Sequence, residues 1–397
     1  MSPAAGLPQV RVRPRGARRL RSGHPWIFRD DVEEVGSSGH GDLVRVLGPA
    51  GAALGWAFYS AHSKITLRLV RRGDVPPPDE ACWRSRVAEA IAWRDRTCPG
   101  REAVRLVFGE SDGLPGLVAD LYGRHLVVQV LTAGAERLLP VWLDAIAEHR
   151  PVDSVLARND SAVRTLEGLP REVLALRGTP PERIEVREGE IRYLADPWKG
   201  QKTGAFLDQA DNRIAAARFS RGRVLDAFAY HGSFALHAAR TAESVVVVDA
   251  SADALARAAE NAALNGLGNL AFVEANVFDD LRARDRAGER FDLVLIDPPA
   301  FAKSRGDLAE ARRGYKEVNL RALRLLAPGG VLVSSSCSYN LGEPEFVELV
   351  AEAAADAGIQ ATLIERRGQA ADHPVRLGFP ESRYLKCVIL ARRGLEG

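Results

Sequence analysis

The feature that most constrains the fold is an alternation of strand and helix running from residue 191 to the end of the chain. Apolar β-type runs stand at 224–228, 244–249, 271–274, 291–297, 330–336, 361–366 and 384–391, and helical patterns fill 233–240, 252–265, 308–326 and 345–357. Such an alternation packs helices on both faces of a parallel sheet, an α/β doubly wound architecture. The last two runs follow each other with no helical pattern between them, so the sheet is expected to end in a β-hairpin. The first, second and fourth runs close on or beside Asp226, Asp249 and Asp297. Open α/β sheets bind ligands outside the carboxyl ends of their strands, so these acids mark the candidate site.

The rest of the chain reads differently. Residues 1–73 carry short β-type runs (9–12, 42–47, 54–59, 65–70) broken by Gly and Pro, a spacing that suits a small β-barrel. The run GDVPPP at 73–78 reads as a linker. An α+β spacer domain is expected over 74–190 and the sheet domain over 191–397, in keeping with roughly two to three domains for 397 residues. The formal net charge is +2, but residues 1–72 hold twelve basic and five acidic residues, a balance of +7 that leaves −5 for the remainder. Seven Arg fall between 11 and 29, among them Arg18, Arg19 and Arg21, with Trp26 and Phe28 beside them. Arg interleaved with aromatics can hold phosphate and stack on bases, which predicts an RNA contact. The alternative is a solvated basic edge with the aromatics in the core. No apolar run is long enough to span a membrane, and the first residues resemble no secretory signal. The four cysteines (82, 98, 337, 387) are widely spaced without CxxC, so neither a disulfide framework nor a metal is predicted. A cytoplasmic protein is expected.

The chemistry sits at the strand ends. In RVLDAFAYHGSFALHAA (223–239) a β-run ends in Asp226, a turn through Phe228, Ala229 and Gly232 follows, and a helix begins. Backbone N–H groups and a helix N-terminus can approach a ligand there. A dinucleotide site would carry G-x-G-x-x-G; here an acid stands instead, which repels phosphate and suits a cationic amino-acid moiety. Asp249, with Ala250 beside it, can accept hydrogen bonds from both hydroxyls of a ribose, and Asn276 and Val277 stand where an adenine can sit. The pair of acids favours S-adenosylmethionine over a nicotinamide cofactor, although Asp249 alone also reads as a helix N-cap. The fourth run ends in Asp297, stiffened by Pro298 and Pro299, and suits a polar base edge, with Phe301 available to stack on a flipped base. Cys337, at the end of the fifth run between Ser336 and Ser338, is the candidate nucleophile. Cys387, inside RYLKCVIL, reads as an inert small hydrophobe.

These motifs carry a resemblance. The third region resembles class I S-adenosylmethionine-dependent RNA methyltransferases. The whole chain is similar to the bacterial RlmI-like family of 23S rRNA cytosine-5 methyltransferases, through GQKTGAFLDQADNR (200–213), LDAFAYHGSFALHAA, the Asp249 strand, DPPAFAK and SSSCS. The N-terminal part with HPWIF is similar to that family's PUA domain, an RNA-binding barrel. The resemblance implies a C-terminal Rossmann-like class I methyltransferase sheet with a terminal β-hairpin, preceded by a PUA-like barrel and an α+β middle domain. It implies S-adenosylmethionine as cofactor, 23S rRNA or a large-subunit precursor as partner, and a homodimer. Cys337 becomes the catalytic nucleophile with Asp297 as its active-site partner. Lys202, Gly204, Asp208 and Arg213 fall in the segment that borders cofactor and substrate. Two departures stand out: Ala210–Asp211 replaces an Arg after DQ, and Asn276 stands where many methyltransferases carry Asp. The implied mechanism is addition of the Cys337 thiolate to carbon 6 of cytosine, which activates carbon 5. The thiol's activating partner and the final proton acceptor are not identified by the sequence. A base-nitrogen methyltransferase using the Asp-Pro-Pro motif, and a non-catalytic RNA-binding protein, are the competing readings.

Overall fold

The computed structural model describes residues 8–301 and 306–393. The chain divides into two compact units, one made of 1–186, 195–207 and 371–382, the other of 187–194, 208–370 and 383–397. The expected boundary near 190 lies close to this division. The one at 73/74 lies inside the first unit, and segments 195–207 and 371–382, placed in the sheet domain by sequence, belong to the first unit instead.

The first unit begins with β1 (Gln9–Val12), α1 (Pro14–Arg21), β2 (Trp26–Phe28), β3 (Val32–Val35), β4 (Leu43–Leu47), β5 (Ala53–Tyr59) and β6 (Ile65–Arg72). The strands form one six-stranded sheet in the order β2-β6-β5-β4-β1-β3 around Val10, Val12, Leu20, Val46 and Leu67. The Arg-rich segment, given no element by sequence, is α1. It buries Gly16, Ala17 and Leu20 and leaves Arg15, Arg18 and Arg21 exposed. There follow α2 (Glu80–Thr97), β7 (Ala103–Phe108), β8 (Leu117–Tyr122), β9 (His125–Val130), α3 (Ala133–His149), β10 (Ser154–Asn159), α4 (Ala162–Leu166) and β11 (Glu172–Arg177). Strands β7–β11 make a second sheet, in which β10 runs parallel to β9 across α3. Trp56, Phe58 and Val70 of the first sheet share a core with Trp83 of α2 and Trp142 of α3, so the two sheets are packed as one body. Asp372, fully buried, completes this unit. It accepts the Arg105 backbone N–H at 2.9 Å and a hydrogen bond in its ion pair with His373 at 2.8 Å, and its carbonyl accepts from Arg94 at 2.8 Å.

Two short strands, β12 (Ile184–Glu188) and β13 (Ile191–Ala195), carry the chain across the division. The second unit then runs α5 (Ala210–Ala217), β14 (Arg223–Ala227), α6 (Ser233–Ala239), β15 (Ser244–Asp249), α7 (Ala252–Leu264), β16 (Leu270–Glu274), α8 (Val277–Ala287), β17 (Phe291–Ile296), α9 (Leu308–Arg324), β18 (Leu326–Ser336), α10 (Glu343–Ala357), β19 (Ala361–Arg367) and β20 (Lys386–Arg392). Its seven strands lie in the order β16-β15-β14-β17-β18-β20-β19, parallel except for β20, which is antiparallel to both neighbours. The expected terminal hairpin is thus present. Central strands such as β15 (SVVVVD) are apolar because helices cover both faces. Helices α5 and α8 escaped the sequence reading. Among the described residues no helix is long and apolar enough to cross a membrane.

Candidate active site

Strands β15, β14, β17 and β18 are parallel neighbours, so their carboxyl ends share one edge of the sheet. After β14 the chain makes a tight turn in which Phe228 (φ 63°) and Tyr230 (φ 50°) adopt left-handed backbone, a conformation that non-Gly residues adopt at a cost. Neighbouring groups hold it there. Ala229 N–H donates to the Val248 carbonyl at 3.1 Å, and Tyr230 N–H donates to Asp249 Oδ2 at 2.8 Å. Gly232 (φ 73°) starts α6 so close to α7 that a Cβ would come within 2.9 Å of the Ala258 Cβ. Asp226 lies beneath the turn, 1% exposed, and its Oδ2 accepts the Ala235 N–H at 2.9 Å. Burial pushes this carboxyl well above the usual range, and the charges of Asp297 and Asp249 push the same way. The sequence reading set Asp226 facing a ligand; it is instead an internal brace for the start of α6.

Asp249 is half-buried and clamps the turn, its Oδ1 also accepting the Ser251 N–H at 3.0 Å. Each of its oxygens retains a further acceptor site, and Ala250 beside it is exposed. Asn276 caps α8, its Oδ1 accepting the N–H groups of Phe278 at 3.0 Å and Asp279 at 3.4 Å, while Val277 is buried. The rings of Phe228, Phe278 and Phe301 lie 5.7–6.3 Å apart, and Phe301 continues to Tyr315 at 4.6 Å. Phe301, expected to stack on a base, is therefore held within an aromatic wall.

Asp297 is the first residue past β17. Its Oδ1 accepts from Gln209 Nε2 at 2.8 Å, Gln209 Oε1 accepts from Asn212 Nδ2 at 2.6 Å, and Asn212 Oδ1 accepts from Arg367 Nε at 3.0 Å. Pro298 is buried and Pro299 exposed. In the ladder Ile296 stands opposite Ser334, which brings Asp297 and the end of β18 to the same edge. Cys337, just past β18, is half-buried between the buried Ser336 and Ser338. Ser338 Oγ lies 2.9 Å from the Tyr315 hydroxyl, and its carbonyl accepts from Lys386 Nζ at 2.6 Å. The neighbouring Cys387 thiol is pushed up to about 12 by burial, in line with its reading as inert. Lys386 was not singled out by sequence. Its signal was a single cation inside an otherwise apolar terminal strand.

Two residues of the family-like segment turn out to be braces. Asp208 is 2% exposed and accepts from the Tyr384 hydroxyl at 2.6 Å. Arg213 is 3% exposed and donates through Nε and Nη2 to the two oxygens of Glu188, both at 2.6 Å, with His237 at 3.0 Å from the same carboxylate. Its expected contact with substrate is replaced by this ion pair. Lys202 and Gly204 belong to the first unit. Lys202 (φ 55°) places Nζ 4.6 Å from the Phe206 ring centre, and Gly204 (φ 135°) passes so near Asp196 that a Cβ would lie 3.1 Å from its carbonyl carbon.

In the first unit Arg18 and Arg21 are exposed, whereas Arg19 lies over the Phe28 ring at 4.6 Å. Trp26 is committed internally: Nε1 donates to Glu110 at 2.7 Å and its ring meets Phe379 at 4.7 Å. The base-stacking expected of Trp26 is replaced by this packing. A second group of arginines emerges instead. Arg72 donates to the Leu20 carbonyl, Arg86 to those of Val70 and Gly113, and Arg376 to that of Glu110. No carboxylate pairs with these three among the described residues. Burial lowers each pKa, and Arg376 lowers the other two further by like-charge repulsion. Among the described residues no group of three acids, histidines or cysteines is placed to hold a metal ion. A groove of about 490 Å³ lined by Val347, Val350, Ile359 and Leu363 shares no residue with the strand-end site.

Comparison with known proteins gives the following. Residues 10–72 match the model of the PUA-like domain, and residues 122–376 match that of the S-adenosylmethionine-dependent methyltransferases. The chain is similar to "Ribosomal RNA large subunit methyltransferase I" of Aeromonas salmonicida, 40% identical over 93% of this chain and 96% of that protein. The protein of the same name from Shewanella amazonensis is 39% identical over 96% of this chain and 98% of its own. A solved structure from Streptococcus mutans, assigned as a methyltransferase dependent on S-adenosylmethionine, matches with TM-score 0.82 at 20% identity, over 96% of this chain and 99% of that one. Another structure with the same scores and coverage was solved with S-adenosylhomocysteine.

Proposed function

The chain belongs to the S-adenosylmethionine-dependent methyltransferases of the large-subunit ribosomal RNA methyltransferase I family, and from that membership we propose that it methylates carbon 5 of a cytosine in 23S rRNA through a covalent adduct on Cys337. The observation that carries the reading is the pairing of a half-buried Cys337 with Asp297 on one edge of the sheet, past the adjacent parallel strands β18 and β17.

The residues at this edge fit the cofactor. Asp249 retains acceptor sites for a ribose diol, Val277 and the Phe228–Phe278 rings offer an apolar bed for adenine, and the Asp297 carboxylate suits a cationic group. When bound, S-adenosylmethionine supplies an electrophilic methyl group. The Cys337 thiolate forms a bond to carbon 6 of the cytosine, and the electron pair of the 5,6 double bond becomes available at carbon 5. Asp297, oriented by Gln209, holds the polar edge of the base. After methylation a base takes the carbon-5 proton, the electron pair of that C–H bond restores the 5,6 double bond, and the carbon 6–sulfur bond breaks to release Cys337 as thiolate. The target base must leave its stack, at a cost of a few kcal/mol that is lower in a loop than in a duplex. Arg18, Arg21, Arg72, Arg86 and Arg376 offset that cost by holding RNA phosphates. Guanidiniums tied to carbonyls rather than carboxylates retain their charge for an outside anion.

The test is mass-spectrometric mapping of 5-methylcytosine in 23S rRNA, with and without the protein, together with Cys337→Ala. A single cytosine should gain the mark, and the variant should lose it. Near-normal turnover of Cys337→Ala, or a methyl group on a ring nitrogen, would sink the cysteine mechanism and favour the base-nitrogen reading.

A further inference from the structure

Lys386 has no task in the mechanism above. It stands in β20 directly opposite Ser336 of β18, and its Nζ donates to the carbonyls of Ser338 at 2.6 Å and Tyr384 at 3.0 Å. The side chain therefore passes from a level before Cys337 to one just after it. Only 3% of its surface is exposed. A buried ammonium is costly unless it is hydrogen-bonded and paired with an anion. Two carbonyls take two of its three N–H groups, and among the described residues no carboxylate lies within ion-pair reach. The Cys337 thiol, which lies between the two levels this side chain spans, can become its anion.

We propose that Lys386 is a positioning residue that keeps Cys337 as a thiolate, poised to add to carbon 6. The proposal rests on the reading of Cys337 as the nucleophile. It supplies the activating partner that a cysteine nucleophile needs. Burial brings the ammonium down to about 8, while charge at Cys337, and then at Glu343, draws it up. It is thus protonated at neutral pH, where its charge favours the thiolate. Among the described residues this turn is also faced by Tyr315 of α9, whose phenol burial holds in the neutral form, and by Glu343 at the start of α10, which is ion-paired with Arg383. Asp297 opposes the thiolate, so the cation must outweigh it. The Cys337–Lys386 pair titrates as one coupled system.

The experiment is alkylation of the full-length protein by iodoacetamide across a range of pH, read at Cys337 by peptide mass spectrometry. Wild type, Lys386→Met and Lys386→Arg are compared. The Met variant should raise the alkylation midpoint by about one pH unit or more, and the Arg variant should keep it low. A midpoint unchanged in Lys386→Met overturns the proposal. The reciprocal arm uses Cys337→Ser, which changes one atom and preserves the core. The Lys386 titration, followed by NMR of its ε-carbon, should fall relative to wild type; an unchanged titration also overturns the proposal. Methyl transfer by Cys337→Ala separates the two ideas. If that variant is active, the nucleophile reading falls. If it is inactive while the Lys386→Met midpoint stays put, the Lys386 proposal alone falls.

Discussion

Replacing Arg213 by Met distinguishes a structural arginine from an RNA contact. Arg213 and Glu188 are 3% and 8% exposed and share two hydrogen bonds of 2.6 Å. Removing one partner of such a buried pair leaves an uncompensated charge and costs about 3–5 kcal/mol. At about 2–4 °C per kcal/mol for a unit of this size, the melting temperature should fall by roughly 6–20 °C. The pH dependence has a definite sign. In the native protein burial alone would raise the Glu188 carboxyl, but Arg213, and with it His237, holds it well below the usual carboxylate range. A carboxylate lowered on folding lends stability above its unfolded pKa, about 4.3, and loses it as the pH falls through the folded value. In Arg213→Met the burial effect prevails over His237 alone, and the Glu188 pKa is raised instead. Its contribution is then present below the unfolded pKa and lost as pH rises through the folded one. Calorimetric melts should therefore show a gap between wild type and variant that is wider at pH 8 than at pH 5. Glu188→Gln added to Arg213→Met should recover part of the loss at pH 8. A melting temperature unchanged by Arg213→Met, with weaker rRNA binding, would refute this reasoning and restore Arg213 as an RNA contact.

Three other outcomes follow from the geometry. The double variant Arg86→Ala/Arg376→Ala should weaken rRNA binding and flatten the plot of log affinity against log salt by about 0.7–0.9 for each phosphate no longer neutralised; an unchanged slope in filter binding would remove these residues from the interface. Gly232→Ala forces a left-handed backbone onto Ala and a Cβ to within 2.9 Å of Ala258, so S-adenosylhomocysteine should bind more weakly by calorimetry and the protein should lose about 1 kcal/mol or more. Trp26→Phe removes the indole donor from Glu110 beside Arg68; it should destabilise the first unit by about 1 kcal/mol in chemical denaturation, while rRNA affinity stays near wild type.

The sheet of the second unit was legible because β15, β17 and β18 are runs that only a two-faced burial explains, each closed by a polar turn. Asp249 at the end of β15 and Asp297 just past β17 pointed to the edge of the sheet at which Cys337 also lies. Helix α8 was missed because VFDDLRARDRA buries only Val277 and Leu281, and charge pairs such as Arg284–Asp280 at 2.7 Å cover the rest. Strand β10 hid for the opposite reason: SVLARN is buried throughout, yet it carries Arg158, whose guanidinium donates to the carbonyls of Pro197 and Gly200 and to Asp160. Arginines were the general difficulty. A one-dimensional pattern cannot distinguish Arg213, Arg94 or Arg164, each buried on a carboxylate, from Arg72 and Arg86, which donate to carbonyls instead. Asp226 and Asp249 look alike in sequence, and only the fold turns one inward and leaves the other half-exposed. Lys386 acquires meaning from the ladder register that sets it opposite Ser336, fifty residues upstream.

The interleaving of the two units has a consequence for biosynthesis. Asp372, on which the backbone of Arg105, the guanidinium of Arg94 and His373 converge, is encoded 267 codons downstream of Arg105. The first unit, most of which is synthesised before the second, is therefore completed only after 208–370 of the second has been made. Its two sheets can collapse during translation, but the cluster around Arg94 and Arg105 stays unfinished until the segment 371–382 has emerged. A chain terminated prematurely anywhere before that segment loses more than the end of the second unit. It also leaves the backbone N–H of Arg105 and the Arg94 guanidinium each short of an acceptor in the first, while both side chains keep their carboxylate partners, Asp120 and Asp112.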